Sequence, residues 1–450
     1  MTVPGHASSY ASSYAAGSAL VSGPHEAVLA LATALGATPT GLVEHPRFFD
    51  GFVAHPSVTA AGLLTVADVA ATRYVDLAAL ALRNLDPVVT ASGDRLRFES
   101  LSGCNGVYAR LDLLADGIDA GEVGYGTTNV DVGQPLRLAL AGVDRDALLH
   151  VAVGADQLRV STPAESHEER TVDLPRRWVR GFAEVPVLAA RLTPRLSVPG
   201  PVVAAFLATI GSAAPGPTTT LAATPRGLRV VPPSTRGSVS VAGLARLTAA
   251  RRVARLARRV TAYAEPAGGS GWVFELPGAR LTLLMTSDPY RGFSGEGGLL
   301  PALAGATVVE DAARLREHLA WEPVIDPGWL TRATGLDAGR VEGALAALAT
   351  SGKVGYDLTE QAWFQRELPL DEQGLEGDNP RLVAARELRA AGLVVREGDD
   401  WRVGEAEHRY WVGREGGRWT CTCAWWTRYR GDRGPCKHVL AVGLADEEIR

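Results

Sequence analysis

Three of the four cysteines in this 450-residue chain, and one of its nine histidines, fall within CTCAWWTRYRGDRGPCKH, residues 421–438. The spacing is Cys421-x-Cys423, twelve residues, then Cys436-x-His438. Two short clips joined by a loop can supply a tetrahedral Zn²⁺ with thiolate sulfur at about 2.3 Å and imidazole nitrogen at about 2.0–2.1 Å. With all four positions filled by protein, no site stays open for water or substrate, so one structural zinc ion is expected, not a Lewis acid. Three thiolates and a neutral imidazole would leave that centre with a net negative charge. Arg428, Arg430, Arg433 and Lys437 lie close in sequence to offset it and to favour deprotonated thiols. A redox pair of Cys421 and Cys423 is the main competing reading, but redox motifs more often use two intervening residues, and Cys436 and His438 would be unexplained. Iron–sulfur ligation and catalytic thiol chemistry complete the alternatives.

The elements that must hold these ligands can be read on either side. HRYWVGREGGRWTC supplies two strands ahead of Cys421, Gly431, Gly434 and Pro435 permit a tight return before Cys436, and VLAVGLADEE continues as a helix. The expected local fold is two strands followed by a helix. Trp419, Trp425, Trp426 and Tyr429 interleave with arginines across the loop. Rings that stack on bases beside arginines that bind phosphate suit nucleic acid. The same residue types dominate protein interfaces, and some of the tryptophans must simply pack over a zinc core too small to stand alone. Trp425, Trp426, Arg428, Tyr429, Arg430, Arg433 and Lys437 are therefore the candidate partner contacts.

A CxC pair, a variable loop and a CxH pair between a hairpin and a helix resemble the SWIM zinc finger, and Cys421, Cys423, Cys436 and His438 match its ligand positions one for one. The resemblance implies binding to DNA or to a protein partner. GYGTTNVDVGQPLRLAL, LPRRWVRGFAEV, YRGFSGEGGLL and GKVGYDLTEQAWFQRELP extend the likeness to bacterial SWIM proteins associated with MoxR-type AAA+ ATPases and VWA-domain proteins. It would cover most of the chain after about residue 95, and it implies an ATPase or VWA protein as partner.

Length points to several domains, since one core seldom serves 450 residues. The formal charge of −5 gives no global attraction to nucleic acid or anionic lipid, so a basic surface would have to be local. Only Lys353 and Lys437 are lysine, a bias that makes arginine number weak evidence for nucleic-acid binding. No leader pattern and no long apolar run occurs, so a cytoplasmic protein without membrane contact is expected. Cys104 stands apart from the other cysteines, which argues against a disulfide framework.

Along the chain the expected class is α+β and multidomain: a mixed N-terminal region, a winged-helix-like domain and a C-terminal ββα SWIM zinc finger. Residues 1–22, with ASSYASSY, read as a disordered tail, and residues 23–175 as a first α+β domain. That domain opens with a helix from Glu26 on the spacing of Val28, Leu29, Leu31 and Leu35, and a second helix over residues 67–85; from Arg95, alternation predicts an antiparallel sheet. A helix beginning at Asp173 or Pro175 leads into a second α+β domain, residues 176–304. Its features are a linker-like GSAAPGPTTT, a hairpin in WVFELPGARLTLLM and an arginine-faced helix in LARLTAARRVARLARRVTAY. In that helix Leu244, Leu247, Val253, Leu256 and Val260 face inward, while Arg251, Arg252, Arg255, Arg258 and Arg259 form a solvated face. Residues 305–370 read as three helices and a hairpin, resembling a winged helix whose third helix offers Arg340 beside Asp337 and Glu342 and little else to read bases. Residues 371–450 hold the finger.

No catalytic constellation emerges. GFSGEGG, residues 292–298, lacks the Gly-Lys-Ser/Thr ending of a phosphate loop, and GYGTTN lacks a following helix start. Cys104 has no base placed beside it by sequence, nor do His25, His45, His55, His318 and His408 show paired metal spacing. The expectation is a non-enzymatic, zinc-binding adaptor with a protein partner, because the chain is acidic and the third helix lacks a basic face. Direct DNA or RNA binding through the finger and the residue 251–259 arginines is the alternative.

Overall fold

The computed structural model describes residues 11–14, 17–23, 26–74, 86–145, 147–154, 170–173, 176–211, 216–233, 235–265, 269–295, 297–303, 307–368, 380–405 and 408–446. The alternation in RLRFES and GVYARLDLL forms the paired strands Leu96–Leu101 and Val107–Leu113 in the middle of a ten-stranded sheet. On one side the sheet continues antiparallel through Ala279–Met285, Ser270–Leu276, Arg259–Ala264 and Thr193–Pro199. On the other it runs through Val88–Ser92, Tyr125–Asn129, Gly36–Thr38 and Gly41–Val43. Strands from both sides of residue 176 thus share one sheet and one apolar core, with no break in hydrogen bonding at the boundary expected there.

The helix Pro56–Ala71, started by a proline in its first turn, packs on the apolar face of this sheet. Gly62 lets the helix approach closely there, since a Cβ would meet Leu111 Cδ1 at 2.5 Å and force that side chain to shift. Of the helix expected over residues 67–85, only residues 67–71 fall in it; residues 72–74 are not helical, and residues 75–85 lie outside the described residues. A second sheet, of five strands, orders Ile118–Val123, Phe49–Val53, Leu148–Val153, Glu26–Leu31 and Ala19–Ser22.

Several expectations are corrected. Glu26–Leu31 is a strand, parallel to Leu148–Val153, with Ala27, Leu29 and Leu31 buried and the residues between them less so. Six residues are too few for apolar spacing to separate a helix from a strand. Within the expected tail, Ala11–Tyr14 pairs with Arg170–Asp173 and Ala19–Ser22 with Glu26–Leu31. The first of these partners lies too far along the chain for local composition to reveal, and residues 1–10 lie outside the described residues. The single arginine-faced helix is instead a 3₁₀ segment Leu244–Ala250, a short helix Arg251–Ala254 and the strand Arg259–Ala264. Val260 and Ala262 are drawn into the sheet, and Arg246 is fully buried, donating to the carbonyls of Ala242, Gly106 and Thr286.

Residues 307–368 contain the helices Val308–Arg316, Pro327–Thr334 and Ala338–Thr350, then the hairpin Val354–Asp357 and Ala362–Gln365. Asp326 and Asp337 cap the second and third helices by accepting from the backbone N–H of Gly328 and Arg340. The hairpin lies over the polar face of the large sheet. Asp357 accepts from Arg110 at 2.8 Å and from Arg280 at 3.1 Å, while Arg366 reaches Glu99 at 2.6 Å. Tyr108 donates to the same Glu99 oxygen at 2.6 Å, and the Arg97 guanidinium lies 4.1 Å from the Phe364 ring centre. Burial pushes Arg97 down to about 10 even with Asp112 beside it. Burial alone would raise Asp357, but Arg110 and Arg280 hold its carboxyl well below the usual carboxylate range.

The C-terminal domain begins with the helix Pro380–Ala390, followed by an antiparallel four-stranded meander: Val394–Glu397, Asp400–Val403, Tyr410–Glu415 and Arg418–Cys421. The helix Lys437–Asp446 packs across one face of it and against Pro380–Ala390, enclosing a core around Leu382, Trp401, Val412, Leu440 and the three cysteines, which Leu300 also enters.

Candidate metal centre

Cys421 ends the last strand opposite Val412, so it faces the interior. Two residues on, Cys423 caps a short helix, Ala424–Tyr429, that the sequence did not foretell; its Sγ accepts from the Trp426 N–H at 3.4 Å. Cys436 stands before the helix Lys437–Asp446, its Sγ accepting from the Val439 N–H at 3.5 Å and its carbonyl from Leu440 at 3.0 Å. His438 lies in that helix's first turn, stacked on Tyr410 with ring centres 4.2 Å apart. A strand end and two helix starts thus converge.

The four ligand atoms lie within 4.8 Å of one another, and Cys421 Sγ is 3.7 Å from His438 Nδ1. Around tetrahedral zinc a sulfur–nitrogen edge is about 3.6 Å. All four side chains are buried, between 2% and 7% exposed. The donor set fits zinc on its own chemistry: without a cation the thiols must share protons. The hydrogen bond with Cys421 drives Cys423 far below the ordinary thiol range, and Cys421 is driven far above it in return. Cys436, although lowered by its bond with Cys421, is pushed up to about 11 by Cys423 and burial. A bound Zn²⁺ would stabilise all three as thiolates, and the N–H donors to Cys423 and Cys436 orient them. Among the described residues no other group of three or more His, Cys, Asp and Glu side chains is arranged to hold a metal.

The candidate contacts divide into two sets. Arg428, Arg430 and Lys437 are exposed. Trp425, Trp426, Tyr429 and Arg433 are half-buried and engaged within the chain. The Trp425 ring lies 4.6 Å from Tyr429 and carries the guanidinium of Arg381 at 4.8 Å and that of Arg433 at 5.0 Å. Arg381 donates to the carbonyls of Arg433 at 2.6 Å and Pro435 at 3.1 Å, and Arg433 donates to that of Gly295 at 3.4 Å. The loop between the two ligand clips therefore docks on GFSGEGG, whose glycines permit close backbone approach. A Cβ on Gly434, which has φ +70, would collide with the Gly297 carbonyl. Sequence reasoning missed Arg381 and Gly297; the glycine density of residues 292–298 was the available signal.

The remaining candidates are accounted for elsewhere. Cys104 sits in the turn after Leu96–Leu101, its Sγ 3.4 Å from the Ser102 hydroxyl. GYGTTN forms the strand Tyr125–Asn129. His45 pairs through Nδ1 with the Thr33 carbonyl at 2.7 Å, and His25 lies outside the described residues. No helix among the described residues is long and apolar enough to cross a membrane.

No curated protein matches the chain. Among solved structures it is similar to proliferating cellular nuclear antigen from Entamoeba histolytica, with 9% identity and a TM-score of 0.34 over 54% of this chain and 99% of that one. That likeness is too low to bear on fold or function. The SWIM zinc finger family model matches residues 410–445, the stretch from the strand bearing Tyr410 to the end of the ligand-bearing helix. The C-terminal domain thus contains a SWIM zinc finger, with Cys421, Cys423, Cys436 and His438 positioned to bind one zinc ion.

Proposed function

We propose that the protein is a non-enzymatic, cytoplasmic adaptor in which zinc stabilises a partner-binding C-terminal domain. The observation that carries this reading is closure of the metal centre: four buried protein ligands leave the ion no reactive position, so its role is to shape a surface. Arg428, Arg430 and Lys437 lie on that surface. A protein partner is favoured because residues 308–365, read as a winged helix, use their third helix internally. Its Ala346 packs with Ala183 and Leu299 while Val341 and Leu345 enter a separate core. Arg340 is held by Asp311 at 2.5 and 2.9 Å. Such a helix offers a major groove little beyond its exposed first turn.

By the SWIM resemblance, the partner is a MoxR-type AAA+ ATPase or a VWA-domain protein. Titration of zinc-loaded protein against such partners from the same organism should give saturable binding that Cys421→Ser abolishes. No binding to either class would overturn that assignment. The alternative, DNA or RNA binding, is favoured by one local feature: residues 380–446 hold twelve Lys and Arg against nine Asp and Glu, in a chain of net charge −5. Oligonucleotide titrations at roughly 50 and 200 mM salt decide it, since each phosphate neutralised steepens the salt dependence. Salt-sensitive binding lost in Cys421→Ser would reverse the ranking.

A further inference from the structure

Residues 185–264 contain eleven arginines and no Asp, Glu or Lys. With 50 Asp and Glu in 450 residues, a stretch of that length would carry about nine. A bias toward arginine over lysine explains the type of cation but not the missing carboxylates. Ten of the eleven arginines are exposed, Arg246 being the buried one.

Five of them fall within residues 251–259, where the backbone sorts them. After the short helix Arg251–Ala254, Arg255 keeps a right-handed helical conformation, and the N–H groups of Leu256 and Ala257 both reach the Val253 carbonyl, at 2.9 and 3.1 Å. Ala250, Val253, Ala254 and Ala257 are buried in the large core. Arg251, Arg252, Arg255 and Arg258 are exposed, and their spacing sets them along the opposite face as a ridge. The helix Gly200–Ala208 runs beside it: Arg251 donates to the Leu207 carbonyl at 3.1 and 3.2 Å, and the Arg258 carbonyl accepts from the Gly200 N–H at 3.4 Å. Arg252 reaches one oxygen of Asp68 at 3.2 Å, while Arg137, from the helix Gln134–Leu140, holds the other. One carboxylate shared by two guanidiniums leaves that end of the ridge positive. Arg259 faces Glu275 at 4.0 Å, and Arg255 and Arg258 enter no ion pair among the described residues.

We propose that this ridge binds the phosphate backbone of duplex DNA without reading its sequence. Guanidiniums bind phosphate through charge-assisted hydrogen bonds, and no second carboxylate on the ridge competes for them. From Arg251 to Arg258 the rise is roughly 10 Å, the axial length of about three phosphates on one strand. Residues 248–259 include no aromatic side chain, so the ridge has nothing to stack on unpaired bases or to anchor in a bilayer interface. The ridge shares no residue with the finger, and binding there is independent of zinc.

Fluorescence anisotropy of full-length, zinc-loaded protein with two labelled duplexes of about 20 base pairs and unrelated sequence tests this. Both should bind alike at roughly 50 mM salt and at least about tenfold more weakly at roughly 200 mM. Arg255→Gln combined with Arg258→Gln should leave the thermal transition unchanged, weaken both duplexes at least about tenfold and lower the salt slope by about 2. Cys421→Ser should bind them as the parent does, and unlabelled duplex should displace the probe where polyglutamate or phosphatidylserine vesicles of equal charge do not. No binding at 50 mM, an unchanged slope in the double variant, or displacement by either competitor as effective as by duplex would overturn the assignment. Loss of binding in Cys421→Ser would overturn it too, by moving the site to the finger.

Discussion

In the finger, three thiols and an imidazole crowd into one buried site whose ligands all need an added cation. Beneath the hairpin of residues 354–365, Arg97, Arg110, Arg280 and Arg366 meet Glu99, Asp112 and Asp357, with the chain supplying both signs. Both interiors bury charge that water would otherwise solvate, at a cost of several kcal/mol per ion. The first would be completed from solution, so the C-terminal core is expected to depend on metal supply. The second draws both its signs of charge from the chain, so the seat of the hairpin needs no added ion. One molecule thus contains a site that an added metal would complete and a platform that needs none.

The strongest way to break this comparison is Cys436→Ser. Zinc binding contributes about 10–16 kcal/mol to folding of zinc-finger peptides at neutral pH. The variant should lose stoichiometric zinc and amide protection over residues 380–446, while strands such as Val107–Leu113 stay protected in hydrogen exchange. Retained zinc would refute the four-ligand set, and loss of protection in the large sheet would refute the independence of the two interiors.

Asp357→Ala makes the converse test. Removing this carboxylate takes from Arg110 and Arg280 a buried partner, which costs about 3–5 kcal/mol. The unfolding transition of the sheet should drop accordingly, with zinc content unchanged. Acid separates the interiors too. Because the Asp357 carboxyl is held below its ordinary value of about 3.9, its contribution is full above that pH and is lost only as pH falls through the lower folded value. Thiolates and imidazole compete with protons for zinc in milder acid. A zinc indicator followed during acidification should report metal release before near-ultraviolet dichroism reports loss of the sheet; the opposite order would break the comparison.

The finger was legible because its ligands sit within residues 421–438 and each is a distinctive residue type. The ionic layer was not. Arg97 and Glu99 alternate with Leu96 and Phe98 as the solvated face of a strand would, yet the whole strand Leu96–Leu101 is buried. Its cover, around Asp357 and Arg366, comes from more than 240 positions along the chain, as the Arg110–Asp357 separation of 247 shows. The strand Glu26–Leu31 was misread for a related reason: its partner Leu148–Val153 settles the conformation that six apolar-rich residues leave open. The helix, helix, helix, hairpin order of residues 308–365 was visible because its caps, Asp326, Asp337 and Gly335, are local signals.

Gly434→Ala sharpens the comparison at the junction between the two regions. Its φ of +70 and the approach of the Gly297 carbonyl both oppose a Cβ, at a cost of about 1–3 kcal/mol. Zinc should be retained, since Cys436 lies beyond the affected turn. Protection of residues 292–298 should fall, because the loop carrying Arg433 can no longer seat there. Unaltered exchange at those residues would mean that the finger and the loop touch without supporting each other.

The smallest effect on stability belongs to Arg428→Ala combined with Arg430→Ala. Both side chains are exposed, and surface changes of this kind stay within about 0.5 kcal/mol each. Arg430 also occupies a left-handed backbone position at φ 45, which alanine tolerates no better than arginine, so the cap of Ala424–Tyr429 should be little changed. Zinc content and the thermal transition should match the parent, while affinity for the partner falls. A drop in affinity without loss of zinc separates the surface that the metal shapes from the metal itself. Equal affinity would move the interface away from these arginines, toward the opposite face of the meander, where Trp411 is 43% exposed beside Arg402.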